Sequence, residues 1–177
     1  MNLKPSHKRT ASVSVPGYMY HWAQRRFARH PETGGLVLPS KLDVYHVVWT
    51  EMSRWPRMVT WMGLSRYADE PAGNLVIHLP DRHHRAGGIR KNPRVWNYLS
   101  PRSHRAIARS LKEMFDEEFH AYVNRKTSLG ISRIDAVRSF SRAYGISIDS
   151  EDTLIKNYQR YLRKQSVTVN ILEKRQK

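Results

Sequence analysis

Between Ser100 and Lys126, apolar residues return every three or four positions: Ile107, Leu111, Met114, Phe115, Phe119 and Tyr122. That spacing keeps them on one helical face. Ser100 and Pro101 supply an N-cap and a first-turn proline, so the pattern predicts a helix from Pro101 to about Lys126. A second stretch, Ile134, Val137, Phe140 and Tyr144, follows Ser132 as N-cap, with Asp135 at the capping-box position. It stops at Gly145, where a left-handed residue closes a helix, and Ile146 is placed for the apolar contact of a Schellman ending. Leu154, Tyr158, Tyr161 and Leu162 repeat on a third helix after the polar turn "SIDSED", with Asp149 or Ser150 as its cap.

The N-terminal half is less regular. Residues 17–30 read as a short helix with Tyr18, Trp22 and Phe27 inward and Arg25, Arg26 and Arg29 outward, ended by Pro31. Ser40, with Asp43 three positions on, is the expected cap of a helix carrying Leu42, Tyr45, Val48, Trp49 and Met52, which stops before Pro56. "RMVTWMGLSRYA" fits a helix and a strand equally. "GNLVIHLP", bounded by Gly73 and Pro80, predicts a strand. The tail "VTVNILEKRQK" alternates weakly and is expected as a short strand or a frayed end. The fold class that follows is mainly α: a helical C-terminal module with a helix-turn-helix-like pair, and a small strand element in the N-terminal half. The expected organisation is a basic flexible arm (1–16), an α(+β) module (17–80), an arginine-rich loop (81–100), the helical module (101–165) and a tail (166–177).

Charge changes the picture most. The 177 residues hold 31 Lys and Arg against 15 acids, a net charge of +16. Self-repulsion on that scale opposes compaction and points to an anionic partner. Nucleic acid leads, because each cation placed on a phosphate releases a condensed counterion. No apolar run approaches the roughly 20 residues that cross a bilayer, no signal-peptide segment is visible, and no membrane role is expected. The chain has no cysteine, which removes disulfides, thiolate metal sites and Cys nucleophiles. The expected location is intracellular, in cytoplasm or nucleoid, or packaged in a particle.

The cations concentrate in two places. After Asp81 the next acid is Glu113, and between them lie Arg82, Arg85, Arg90, Lys91, Arg94, Arg102, Arg105, Arg109 and Lys112. Gly87 and Gly88 allow close backbone approach there. Trp96 and Tyr98 either stack on unpaired bases or anchor the loop to the core. The second concentration lies off the apolar stripe of the last helix: Lys156, Asn157, Gln159, Arg160, Arg163 and Lys164. Asn and Gln pair with adenine edges, Arg with guanine, and Lys and Arg also hold phosphates. The candidate nucleic-acid-binding set is therefore Arg82, Arg85, Arg90, Lys91, Arg94, Arg102, Arg105, Lys156, Asn157, Gln159, Arg160, Arg163 and Lys164.

Residues 132–164 resemble a helix-turn-helix in the broad sense, a resemblance carried by Gly145 and Ile146 at the end of the first helix. It implies that the last helix docks on DNA. The span from Gly145 to Leu154 is longer than the tight turn of that motif. "HPETGGLVLPS" resembles a sortase sorting signal, but His30 replaces the leading Leu and no hydrophobic anchor follows. It also resembles the Glu-Thr-Gly-Gly opening of JAMM metalloproteases, but the His-x-His pair of that family is absent. His78, His83 and His84 with Asp81 form the one histidine cluster. Adjacent His83 and His84 do not converge on one metal, and the two-His spacing of HUH endonucleases is missing. No P-loop, dinucleotide fingerprint or Gly-x-Ser-x-Gly occurs, and the consecutive Asp116, Glu117 and Glu118 point apart on a helix. No enzyme activity, metal or cofactor is expected.

The expected function is thus a non-enzymatic nucleic-acid-binding protein, with DNA favoured over RNA. It would be a regulator or accessory factor of the kind phages and mobile elements encode. The alternative is a structural component of a ribonucleoprotein or virion without base readout. A homo-oligomer or a larger nucleoprotein assembly is compatible with either.

Overall fold

The computed structural model describes residues 9–55, 57–59, 65–67, 73–82 and 90–175, with side chains over 9–55, 73–82 and 90–166. Mainly α architecture is present, with five α-helices and two small antiparallel strand pairs among the described residues. The chain divides into two compact units, Met1–Glu113 and Met114–Lys177. The division falls inside the helix that begins at Pro101, not in the arginine-rich loop before it.

In the first unit, β1 (Thr10–Val13) pairs antiparallel with β4 (Leu75–His78), Ala11 facing Ile77 and Val13 facing Leu75. Burial alternates along β1, with Ala11 and Val13 inside, as a half-buried strand requires. Residues 10–13, expected within a flexible arm, are therefore part of the core. Gly73 approaches β1 so closely that a Cβ would lie 2.5 Å from the Val13 backbone. The ambiguous segment forms a hairpin, β2 (Arg57–Val59) with β3 (Ser65–Tyr67). Helix α1 (Gly17–Arg26) buries Met19, Trp22 and Ala23, with Phe27 closing against Trp22 edge-on at 5.8 Å. Helix α2 (Asp43–Glu51) buries Val44, Tyr45, His46 and Val48. Its N-cap is Leu42 with no side-chain cap bond, which corrects the assignment to Ser40. The turn closed by Leu42 N–H donating to Pro39 O, 3.0 Å, places Ser40 before the helix.

Residues 28–37 fold back as a short hairpin that explains "HPETGG". Val37 N–H donates to Ala28 O, His30 N–H to Gly35 O and Gly34 N–H to His30 O, each at 2.8 Å. Gly34 has φ +66°, which favours glycine. Gly35 lies against β4, where a Cβ would sit 2.9 Å from the His78 nitrogen. Leu36 then bonds both Val76 O and His78 N–H at 2.9 Å. Here the two glycines answer to backbone geometry.

Helix α3 (Pro101–Ser128) starts as expected, with Ser103 N–H donating to the Ser100 hydroxyl at 3.1 Å. In the second unit its residues Phe115, Phe119 and Val123 join Ala136, Val137 and Phe140 of α4 (Arg133–Tyr144). Leu154 and Tyr158 of α5 (Glu151–Arg175) complete that core. Ser132 caps α4 by accepting from Asp135 N–H at 3.1 Å, and its hydroxyl donates to the Asp135 carboxylate at 2.6 Å. Gly145 is left-handed, φ 65°; its N–H donates to Arg142 O, and Ile146 N–H donates to Ser141 O at 2.8 Å. Those two bonds complete the Schellman ending, and Ile146 is buried beneath it. Gly145→Val should lower stability by about 1–2 kcal/mol, the cost of a left-handed L residue. An unchanged melting temperature would remove that ending from the account.

Three further details depart from the sequence reading. Ile134, placed on the inner side of α4, is 49% exposed, and Ala136 and Ser141 are buried instead. The polar turn before α5 holds a 3-10 turn over Ile148–Ser150, opened by Ser147, whose hydroxyl accepts from Asp149 N–H. Finally, α5 continues through residues 166–175, where a short strand or frayed end was expected.

Candidate nucleic-acid interface

The candidate cations divide between the two units. In the first unit Arg102, Arg105 and Arg109 are exposed on the opening turns of α3. Their spacing of three and four residues places them on one stripe. Arg109 belongs to this stripe although the sequence reading left it out of the binding set. Counting three or four residues on from Arg105 would have found it. Arg90 and Arg94 are exposed, and Arg82 is half-buried in a bridge with Arg90. Arg85, Gly87 and Gly88, like His83 and His84, lie outside the described residues.

Lys91 has a different role from the one its position suggested. Its ammonium donates to the carbonyls of Trp49, Thr50 and Met52 at 2.7, 3.2 and 2.8 Å. These close the C-terminal end of α2, where a cation complements the helix dipole. The same ammonium lies 4.3 Å from the Trp49 ring centre and 5.2 Å from that of Trp96. Burial pushes its pKa down, opposed by Glu51. Three carbonyls receive the ammonium, so Lys91 acts as a structural clamp on the end of α2. Lys91→Met should destabilise the chain by about 1–3 kcal/mol, because part-buried carbonyls at the end of α2 lose their donor. Duplex binding should keep its salt dependence, which a titration at several salt concentrations will check.

The aromatics of the loop are anchors. Tyr98 exchanges backbone bonds with Ser53, 3.0 and 3.1 Å, and its ring lies 4.9 Å from that of Trp55. Trp55 donates to buried Asn97 at 2.7 Å. Trp96 lies under exposed Arg54, 5.1 Å from the guanidinium carbon to the ring centre. Arg54 is a further exposed cation of the first unit, in a segment read from sequence only as the end of a helix.

In the second unit, Lys156, Arg160 and Arg163 are exposed at steps of four and three residues along α5. They lie on the side opposite the buried Leu154 and Tyr158. Lys164 is exposed beside them, one turn from Arg160. Gln159 is exposed and also lines an apolar groove of about 350 Å³ with Ile134, Val137, Ile155 and Tyr158.

Asn157 is engaged within the second unit. Its amide donates to Asp116 Oδ1 at 2.9 Å, and its oxygen meets His120 Nε2 at 3.1 Å. His120 in turn stacks on Tyr161, 4.0 Å between ring centres. Two acids of α3 are similarly occupied: Asp116 by Asn157, and Glu118 by the hydroxyl of Tyr144. At the start of α5, Glu151 pairs with Arg138 at 3.5 Å and Asp152 is exposed.

Six residues, 145–150, separate α4 from α5. A helix-turn-helix holds about three to four there, so this connection is longer than that motif's turn. Among the described residues no group of three His, Asp or Glu is arranged to hold a metal, and no helix is long and apolar enough to cross a membrane. No protein-family model matches the chain, and neither the curated proteins nor the solved structures contain a match.

Proposed function

We propose that this protein is a non-enzymatic DNA-binding accessory factor that holds duplex phosphates with two cationic surfaces. The observation that carries the reading is the exposed line Lys156, Arg160 and Arg163 on α5, opposite that helix's buried side. Cations so placed reach a polyanion without disturbing the core, and each phosphate neutralised releases counterions. The stripe Arg102, Arg105 and Arg109 on α3, with Arg54, Arg90 and Arg94, supplies a second set. Sequence-specific recognition of RNA relies on aromatic rings free to stack on unpaired bases. The pairing of Trp55 with Tyr98 and the cations over Trp96 favour duplex backbone instead.

Base readout contributes little in this reading. Asn157 is committed to Asp116 and His120, and the first turn of α5 is acidic. Carboxylates there cap the helix and repel phosphate. Selection from a random duplex pool tests this directly. Preference for the winning sequence over random duplex should stay below about a thousandfold, the lower end for specific DNA-binding proteins. A larger preference would replace the accessory factor with a sequence-reading regulator.

A further inference from the structure

The geometry points to a second device, in the first unit and independent of nucleic acid: His30 and His78 form a proton-sensitive clasp that ties the 30–35 turn to β4. Their rings stack with centres 4.1 Å apart and planes 1° from parallel. His30 is held by its own backbone, which bonds Gly34 and Gly35 across the turn. His78 is the last residue of β4, and its Nδ1 shares a 3.1 Å hydrogen bond with the Thr33 hydroxyl. Beside the stacked rings, Leu36 bonds the β4 backbone through Val76 and His78. The two imidazoles therefore sit over the seam where the turn meets the strand.

Protonation works against this arrangement. Nδ1 of His30 is buried and has no hydrogen-bond partner among the described residues. In the neutral ring that nitrogen can be a bare acceptor. A proton on His78 places a cation face to face with His30. The charged groups around His78 are Arg9, which opposes a proton, and Asp81 and Glu32, which favour one. Burial acts first, then His30 and Arg9, and together they outweigh the carboxylates, so the His78 pKa lies below the ordinary histidine value.

The sign follows from linkage. The unfolded chain takes up its proton near pH 6.5, while folded His78 resists it. Unfolding then absorbs protons, so this contribution to stability is complete above about pH 6.5 and declines as pH falls through that value. Linkage of one proton shifts the unfolding equilibrium by up to about tenfold per pH unit.

The experiment is thermal unfolding of the full chain from pH 7.5 to 5.0, for the native protein and His78→Gln. The native melting temperature should fall more steeply on acidification than that of the variant. Parallel curves would overturn the clasp. Should the variant not fold, the imidazole resonances of the native protein decide. A His78 midpoint below 6.5, accompanied by shifts of the Thr33–Gly35 amides, supports the clasp; a midpoint at or above 6.5 refutes it.

Discussion

Phe119→Ala should cost about 3–5 kcal/mol, the range for removing a buried aromatic ring. Phe119 is fully buried and stands at the centre of the second unit's aromatic cluster. Its ring lies 5.1 Å from Phe140, 5.8 Å from Phe115 and 6.3 Å from Tyr158. One side chain therefore joins α3, α4 and α5. Its removal leaves a cavity that three rings border, and the helices can close it only by shifting their axes. Losses of this size rival the whole stability of many domains. Urea denaturation followed by tryptophan fluorescence reports on the first unit, because all five Trp lie at or before residue 96. Far-UV circular dichroism reports on the helices. The variant should lose helical signal at lower urea than the native chain. A midpoint within experimental error of the native one would show that the cluster is not the second unit's core.

The triple change Lys156→Gln, Arg160→Gln and Arg163→Gln should reduce duplex binding strongly and alter its salt dependence in a countable way. Each phosphate contact contributes about 0.9 to the slope of log K against log salt. Losing three should lower the magnitude of the slope by roughly 2.7. All three side chains are exposed, so the melting temperature should barely change. The same number of substitutions at Arg102, Arg105 and Arg109 should act on the slope in the same manner if both surfaces meet one duplex. A slope left intact by either set would remove that surface from the interface.

Local rules in the sequence carried much of this. Ser132, Asp135, Gly145 and Ile146 act within a few residues of one another, and each makes the bonds its type and position imply. Ser100 and Pro101 start α3 for the same reason. β4 was legible from its own composition, but its partner was not. "TASV" is short and half polar, and the alternation of Ala11, Val13 and Val15 was the signal that charge in the preceding residues obscured. Features that depend on distant partners were out of reach. Lys91 finds its carbonyls 39–42 residues away, and Asn157 finds Asp116 and His120 41 and 37 residues away. A lysine in a run of arginines and an asparagine on a basic helix face both looked like ligand-binding groups. Their internal hydrogen bonds separate them from the exposed cations around them. His30 and His78 are likewise joined only by the fold, through a turn whose two glycines suggested other chemistry.

The central claim, that exposed cations on a folded helical body meet phosphate, comes down to one titration. Purified protein is mixed with a random-sequence DNA duplex, and its association constant is followed from about 50 to 200 mM salt. The account expects binding that weakens linearly on logarithmic axes, with a slope of about −2.7 from the three α5 side chains and steeper where the α3 set contributes. No binding at the lowest salt, or binding indifferent to salt, would contradict it.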